Sequence, residues 1–127
     1  MLNAIILVFV GGAVGAVLRE LLMLSVPSLS DGFPMDIFVA NIVASFLLGL
    51  ITGLHNRRAV SDDVSMLVGT GIMGGLSTFS SFAYGSVVLM SASAAAAGVA
   101  AVYVIISLIV GFVAVAAGMK LGEMRSG

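Results

Sequence analysis

A chain of 127 residues that is 61% hydrophobic and 9% charged, with a mean hydropathy of +1.26, lies far outside the range of soluble globular domains and reads as an integral membrane protein. Since one span needs roughly 20 apolar residues, the length holds about four spans and leaves no room for a soluble domain. The net charge of -1 comes from scattered residues and offers no basic stripe for nucleic acid, while the lack of cysteine beside a single histidine, His55, excludes disulfides, thiol chemistry and a histidine or thiolate metal cluster.

The first apolar run covers residues 2–24, with Arg19 and Glu20 near its end, and the polar stretch "SVPSLSDGFPMD" closes it at Pro27, Asp31 and Pro34. It lacks a basic leading region and a small-residue cleavage site, so it is expected to stay as a helix and not leave as a signal peptide. The second span covers 37–54 and ends at "HNRRAVSDD", the most charged stretch of the chain. The third covers 64–91 and contains "GGLSTFSSF"; the fourth covers 98–119, after the bland "SASAAAAG". The expected fold is therefore an all-α membrane protein, one four-helix domain over residues 1–127. Arg57, Arg58, Lys120 and Arg125 fall on the side of both termini and Arg19 toward the other. Two of those four sit in the C-terminal tail, so orientation is weakly encoded and insertion in both directions is physically open. Four spans without an internal repeat also point to assembly, because small transporters gain inverted symmetry from two units of opposite topology. Gly11 and Gly15 form a G-x-x-x-G in the first span, with Gly12 and Ala16 one residue on, where helices can approach closely.

Polar residues within the spans carry the functional information, because an unsatisfied polar group in hydrocarbon costs ~2–7 kcal/mol. Asn41, Ser45 and Thr52 fall at offsets that place them on one helical face. Hydroxyls in such a stripe serve equally well as glue between helices. The amide of Asn41, with two donors and two acceptors, has to face a partner, a cavity or an ion. In the third span Gly69, Gly71, Gly74 and Gly75, followed by Ser77 and Thr78, make a regular helix hard to hold, which predicts a break over residues 74–78. Broken helices at membrane depth survive only where the freed backbone is buried in protein or lines a cavity; free carbonyls there coordinate cations and half-helix N-termini face anions. Phe79 and Phe82 follow three residues apart on one face, a spacing that ordinary packing also produces. "VGTGIMGG" fits a potassium filter poorly, since no pore-helix pattern flanks it. "GGAVGAVLRE" lacks the strand that a nucleotide-binding loop requires. No catalytic constellation can be assembled from one histidine and scattered carboxylates, so enzymatic activity has no support.

Taken together, "GGLSTFSSF", "GGAVGAVLR" and "NIVASFLLG" strongly resemble the Fluc (CrcB) fluoride channels of bacteria, in motif order, length and span number across essentially the whole chain. The resemblance implies a passive, fluoride-selective channel of the bacterial inner membrane that exports cytoplasmic fluoride. It implies an antiparallel, dual-topology homodimer with two pores between the protomers. The third helix would be broken mid-membrane, with the Gly74 and Ser77 carbonyls holding a structural sodium ion at the two-fold axis and Gly75 and Thr78 in the same central backbone. Phe79 and Phe82 resemble the pore phenylalanines, Asn41 the pore asparagine, and Arg19 the arginine that closes the first motif. One departure stands at Ala44, where the family's second-span motif usually has glycine.

The chemistry of the residues suits that implication. Fluoride is small and strongly hydrated, so a pore must replace its water with donors; Asn41 and the hydroxyls of Ser45, Ser80, Ser81, Tyr103 and Ser107 are of that kind. The positive ring edges of Phe79 and Phe82 can touch an anion without trapping it. No acidic residue lies mid-span, which argues against proton coupling. The alternative is a small multidrug-type, dual-topology, proton-coupled exporter. It needs an acid deep in the first span and aromatic walls with tryptophan, whereas Glu20 lies late in its span and the chain has no tryptophan.

Overall fold

The computed structural model describes residues 2–27 and 32–124; Asp31 in the first loop and Arg125 in the tail lie outside them. Among the described residues the chain is all helical, and four helical stretches, Leu2–Ser25, Met35–Asn56, Asp62–Ala92 and Ala94–Glu123, are long and apolar enough to cross a membrane. Helix α1 (Leu2–Ser25) is followed by α2 (Met35–Asn56), whose start is set by Pro34 and favoured by Asp36 in its first turn. A tight turn with Arg58 in the left-handed region (φ 58°) leads to α3 (Asp62–Ser65), where the Ser61 hydroxyl caps the Val64 amide at 3.3 Å.

The third stretch is not one regular helix. After α3 the backbone widens into a π-helical run, Met66–Ile72, where the two glycines and β-branched residues of "VGTG" hold the α spacing poorly, and the Met73 amide reaches back to the Val68 carbonyl. Helix α4 (Met73–Leu76) follows, then Ser77 and Thr78 in extended conformation (ψ 152° and 108°), then α5 (Phe79–Ala92). A single extended residue, Ser93, joins α5 to α6 (Ala94–Glu123) and caps it by accepting the Ala96 amide at 3.0 Å. The alanine-rich stretch is thus the opening turns of α6.

Small residues decide the packing. Gly49 and Gly53 of α2 meet Gly118 and Gly122 of α6 so closely that a methyl on Gly49 would overlap the Val115 carbonyl and one on Gly118 the Phe46 carbonyl. Residue numbers rise together along the two helices, so they run parallel. The same holds for α1 against the third stretch: Gly11 lies on Leu67 and Gly71, Gly15 on Ile72, and Gly75 on Gly12. The G-x-x-x-G of the first span is therefore used inside the chain. Lipid tails are as apolar as leucine, so association of these helices rests on close van der Waals contact more than on burial from water. The extra methyl of Ala44 is absorbed: the residue is 2% exposed and packs with Met73 and Leu76 in the central cluster. Phe9, Leu24, Leu108 and Phe112 point outward, as a bilayer-facing shell allows.

Candidate functional site

The site is built around the two extended residues. Ending α4 at Leu76 and starting α5 at Phe79 frees backbone groups that a membrane protein has to satisfy. Asn41 does this at Thr78: its Oδ1 accepts the Thr78 amide at 2.7 Å and its Nδ2 donates to the Thr78 carbonyl at 3.2 Å, so the side chain replaces a missing strand partner. One N–H of the Asn41 amide is left over. Arg19 donates to the Gly75 carbonyl at 3.1 Å, placing a cation at the C-terminal end of α4, where both the dipole and the orphan carbonyl favour it. Thr78, itself buried, caps α5: its hydroxyl accepts the Ser81 amide at 3.1 Å, donates to the Ser81 hydroxyl at 3.0 Å and lies 3.3 Å from that of Ser80.

Beside this joint lies a cavity of about 260 Å³ lined by Asn41, Ser45, Ser77, Thr78, Phe79, Phe82, Ser107 and Leu108. It collects Asn41, Ser45, Phe79, Phe82 and Ser107 from three different helices. Phe79 is 81% exposed and its ring lies 6.0 Å from that of Phe82. The Ser107 hydroxyl is buried with no hydrogen-bond partner among the described residues, an expensive state for a donor in an apolar surround. Tyr103 stands one turn earlier on α6, wholly buried, its ring 5.3 Å from Phe82 and 5.2 Å edge-on from Phe33, and its hydroxyl also lacks a partner among the described residues. Ser80, Ser81 and Tyr103 do not line the cavity; the two serines are engaged in the cap of α5.

A second, larger groove of about 460 Å³ runs along α2 toward the charged hairpin, lined among others by Ser45, Thr52, Ser65, Thr70, Gly74 and Ser77. Thr52 turns its hydroxyl onto the Leu48 carbonyl at 2.7 Å, the back-bonding common to threonine in membrane helices. Gly74 and Ser77 are exposed on this groove, a methyl added to Gly74 would meet open space, and among the described residues neither carbonyl accepts a hydrogen bond. Sequence reasoning passed over Ser65 and Thr70, whose placement depends on the π-helical register, and over Gly49, Gly53, Gly118 and Gly122, although both pairs carry the G-x-x-x-G spacing. Those two spacings were legible.

Four helices able to cross a membrane, packed around an irregular joint and beside it a cavity of hydroxyls, one amide and two phenyl rings, define a multi-pass membrane protein. Comparison with known proteins agrees. Residues 6–119 match the family described as CrcB-like protein, Camphor Resistance (CrcB), and the chain belongs to that family. It is 63% identical over 123 residues to a Brucella melitensis protein named fluoride-specific ion channel FluC 2, covering 97% of this chain and 46% of that one, so it spans about half the length of that relative. Over 122 residues it is 58% identical to fluoride-specific ion channel FluC 3 of Yersinia pseudotuberculosis, covering 96% of this chain and 90% of the relative. It is also 41% identical to fluoride-specific ion channel FluC of Agrobacterium fabrum, over 97% and 98% of the two chains. These relatives and the four apolar helices place the protein in a bacterial plasma membrane.

Proposed function

We propose that the protein is a passive, fluoride-selective channel that lets cytoplasmic fluoride leave the cell, and that it is not an enzyme. The observation that carries this reading is the cavity where the spare Asn41 N–H, the unpartnered Ser107 hydroxyl and the Phe79 and Phe82 rings converge. Its donors can take over the hydration of a small anion, and ring edges hold it weakly enough to release it. The names of the relatives support fluoride as the ion. Tyr103 and Ser107, a turn apart, extend the donor set along α6. Efflux needs no coupled ion: a negative interior drives a monovalent anion outward by ~2.3 kcal/mol per 100 mV.

The proposal includes a break of the third helix at membrane depth and an antiparallel, dual-topology homodimer with a pore on either side of its axis. Exposure of Gly74, Ser77 and Phe79 supports a partner on that face. It also includes a central sodium ion. The Gly74 and Ser77 carbonyls fit such an ion, being hard oxygen donors that accept no hydrogen bond among the described residues, and two copies would supply four. Bound there, the ion would neutralise carbonyl ends that otherwise stand unsatisfied; Gly75, held by Arg19, and Thr78, held by Asn41, keep the flanking backbone in position.

The test is flux from liposomes holding purified protein. A fluoride gradient should collapse rapidly while chloride scarcely moves. Comparable chloride flux, or fluoride movement that requires proton exchange, would overturn the channel reading, the second outcome favouring a coupled exporter.

A further inference from the structure

His55 stands where the polar groove meets the charged end of the molecule. It belongs to the last turn of α2, its side chain 39% exposed, with Nε2 3.7 Å from Asp62 Oδ1 across the turn. His55 and Asp62 both line two adjacent cavities. The outer, about 710 Å³, is bounded by His55, Asn56, Arg58, Ala59, Val60, Ser61 and Asp62. The inner, about 440 Å³, is bounded by His55, Asp62, Ser65, Met66 and Thr70. Ser65 and Thr70 also line the long groove that reaches Gly74, Ser77 and Ser45. The pair therefore stands between the hairpin surface and the groove, which shares Ser45 and Ser77 with the smaller cavity at Asn41, Phe79 and Phe82.

Charge at this point depends on one proton. The fixed charges lining the outer cavity, Arg58 and Asp62, cancel. The inner cavity has Asp62 as its one fixed charge and so repels an anion. Protonating His55 turns the outer lining positive and the inner lining neutral. The other charged groups nearby stand elsewhere: Asp63 of α3 and Lys120 of α6 line neither cavity, Glu123 accepts from the Asn56 amide at 3.2 Å, and Arg57 donates to the Met124 carbonyl at 2.6 Å. Among the described residues His55 Nδ1 is buried without a hydrogen-bond partner, which leaves Asp62 as the charged group its ring meets there. Histidine is the side chain that changes charge between about pH 5 and 8.

We infer that His55, set against Asp62, is the residue that controls anion access to the groove from the hairpin side, admitting fluoride more readily when its ring is protonated. The inference rests on the channel reading above. Acid loading, which drives more fluoride into a cell as the neutral acid, would then also ease its exit.

The experiment is single-channel current in planar bilayers, with equal fluoride and equal pH on both sides, at pH 7.5, 6.5 and 5.5. A unit charge about 4 Å from an anion in water is worth about 1 kcal/mol, so wild-type current should rise about two- to fivefold on acidification, less at high ionic strength. His55→Gln should stay near the wild-type pH 7.5 level throughout, His55→Lys should be high throughout, and Asp62→Asn should be raised at pH 7.5. A wild-type profile in His55→Gln would overturn the inference, as would an equal loss of current at every pH that His55→Lys does not restore. Absence of fluoride current in the wild type would overturn the channel reading itself, and this inference with it; a wild-type current that does not depend on pH overturns the inference alone.

Discussion

Replacing Asn41 by leucine tests the joint most directly, because the two shapes are similar and the difference is confined to two hydrogen bonds. Both involve Thr78, the N-cap of α5, whose backbone N–H and C=O lie beyond the end of α4. The Thr78 carbonyl retains a long contact from the Phe82 amide at 3.4 Å, whereas the Thr78 amide has Asn41 as its one acceptor among the described residues. An orphaned buried group costs about 1–3 kcal/mol. With the amide fully orphaned and the carbonyl partly so, the loss should be about 2–3 kcal/mol, a substantial share of the ~5–15 kcal/mol that separates a folded domain from its unfolded state. The local readout is hydrogen exchange at the Thr78 amide in detergent or nanodiscs, followed by mass spectrometry or NMR. A 2 kcal/mol loss corresponds to roughly 30-fold faster exchange. Fluoride flux should fall together with this protection, since the Asn41 side chain that holds the Thr78 amide also supplies a donor to the cavity. Asn41→Asp keeps the acceptor for the Thr78 amide and loses the donor; it should preserve protection while abolishing flux. If Thr78 exchanges at the wild-type rate in Asn41→Leu and the variant is as stable as the parent, the side chain does not hold the joint and the reasoning fails.

Other consequences are open to measurement. Phe79→Ile and Phe82→Ile should each cut fluoride flux by at least tenfold while leaving the protein folded in detergent; unchanged flux in both would reduce the rings to packing. Gly118→Val should separate α2 from α6, because its side chain meets the Phe46 carbonyl, and should cost about 2 kcal/mol or more in reversible unfolding. The same change at Gly98, where an added Cβ meets nothing, should cost less than about 1 kcal/mol. A cysteine placed at Arg57 should be labelled from both faces of the membrane if the chain inserts in both orientations; labelling from one face alone would contradict dual topology.

How far the site could be read in advance follows from which interactions are local. The clustering of Gly74, Gly75, Ser77 and Thr78 signals its own poor helicity, so the position of the irregular joint was legible. Asn41 was singled out because an amide cannot be left unsatisfied in hydrocarbon, but its partner could not be named: the Thr78 peptide lies 37 residues away. Ser80 and Ser81 have the same hydroxyl as Ser107 and share none of its surroundings. Two residues beyond an N-cap is a matter of local geometry that sequence could have supplied; which face of α6 meets α2 is not. Arg19 was known from its motif alone, and its acceptor, the Gly75 carbonyl, becomes visible only once α1 and the third stretch are seen to run side by side. The joint itself was local, and its neighbours were not.

The two ends created at the joint explain why one short sequence can serve ions of both signs in the proposed channel. An unbroken helix would satisfy every peptide group between Met73 and Ser81 and present no end at that depth. Ending α4 at Leu76 releases carbonyls, and starting α5 at Phe79 releases amides. On the carbonyl side the structure compensates in part: Arg19 covers Gly75, while Gly74 and Ser77 have no partner among the described residues. On the amide side Thr78 covers Ser81, while among the described residues the Phe79 and Ser80 amides make no hydrogen bond that would compete with an anion. The uncompensated groups thus have opposite polarity, carbonyl oxygens suited to a cation on one side and the positive end of a 14-residue helix suited to an anion on the other. Their separation is enforced by Asn41 and Arg19, which hold the backbone between them. A variant that restored helix through residues 77 and 78 would remove both ends at once, so loss of cation dependence and loss of fluoride flux should be inseparable at those positions and separable at Phe79 and Phe82.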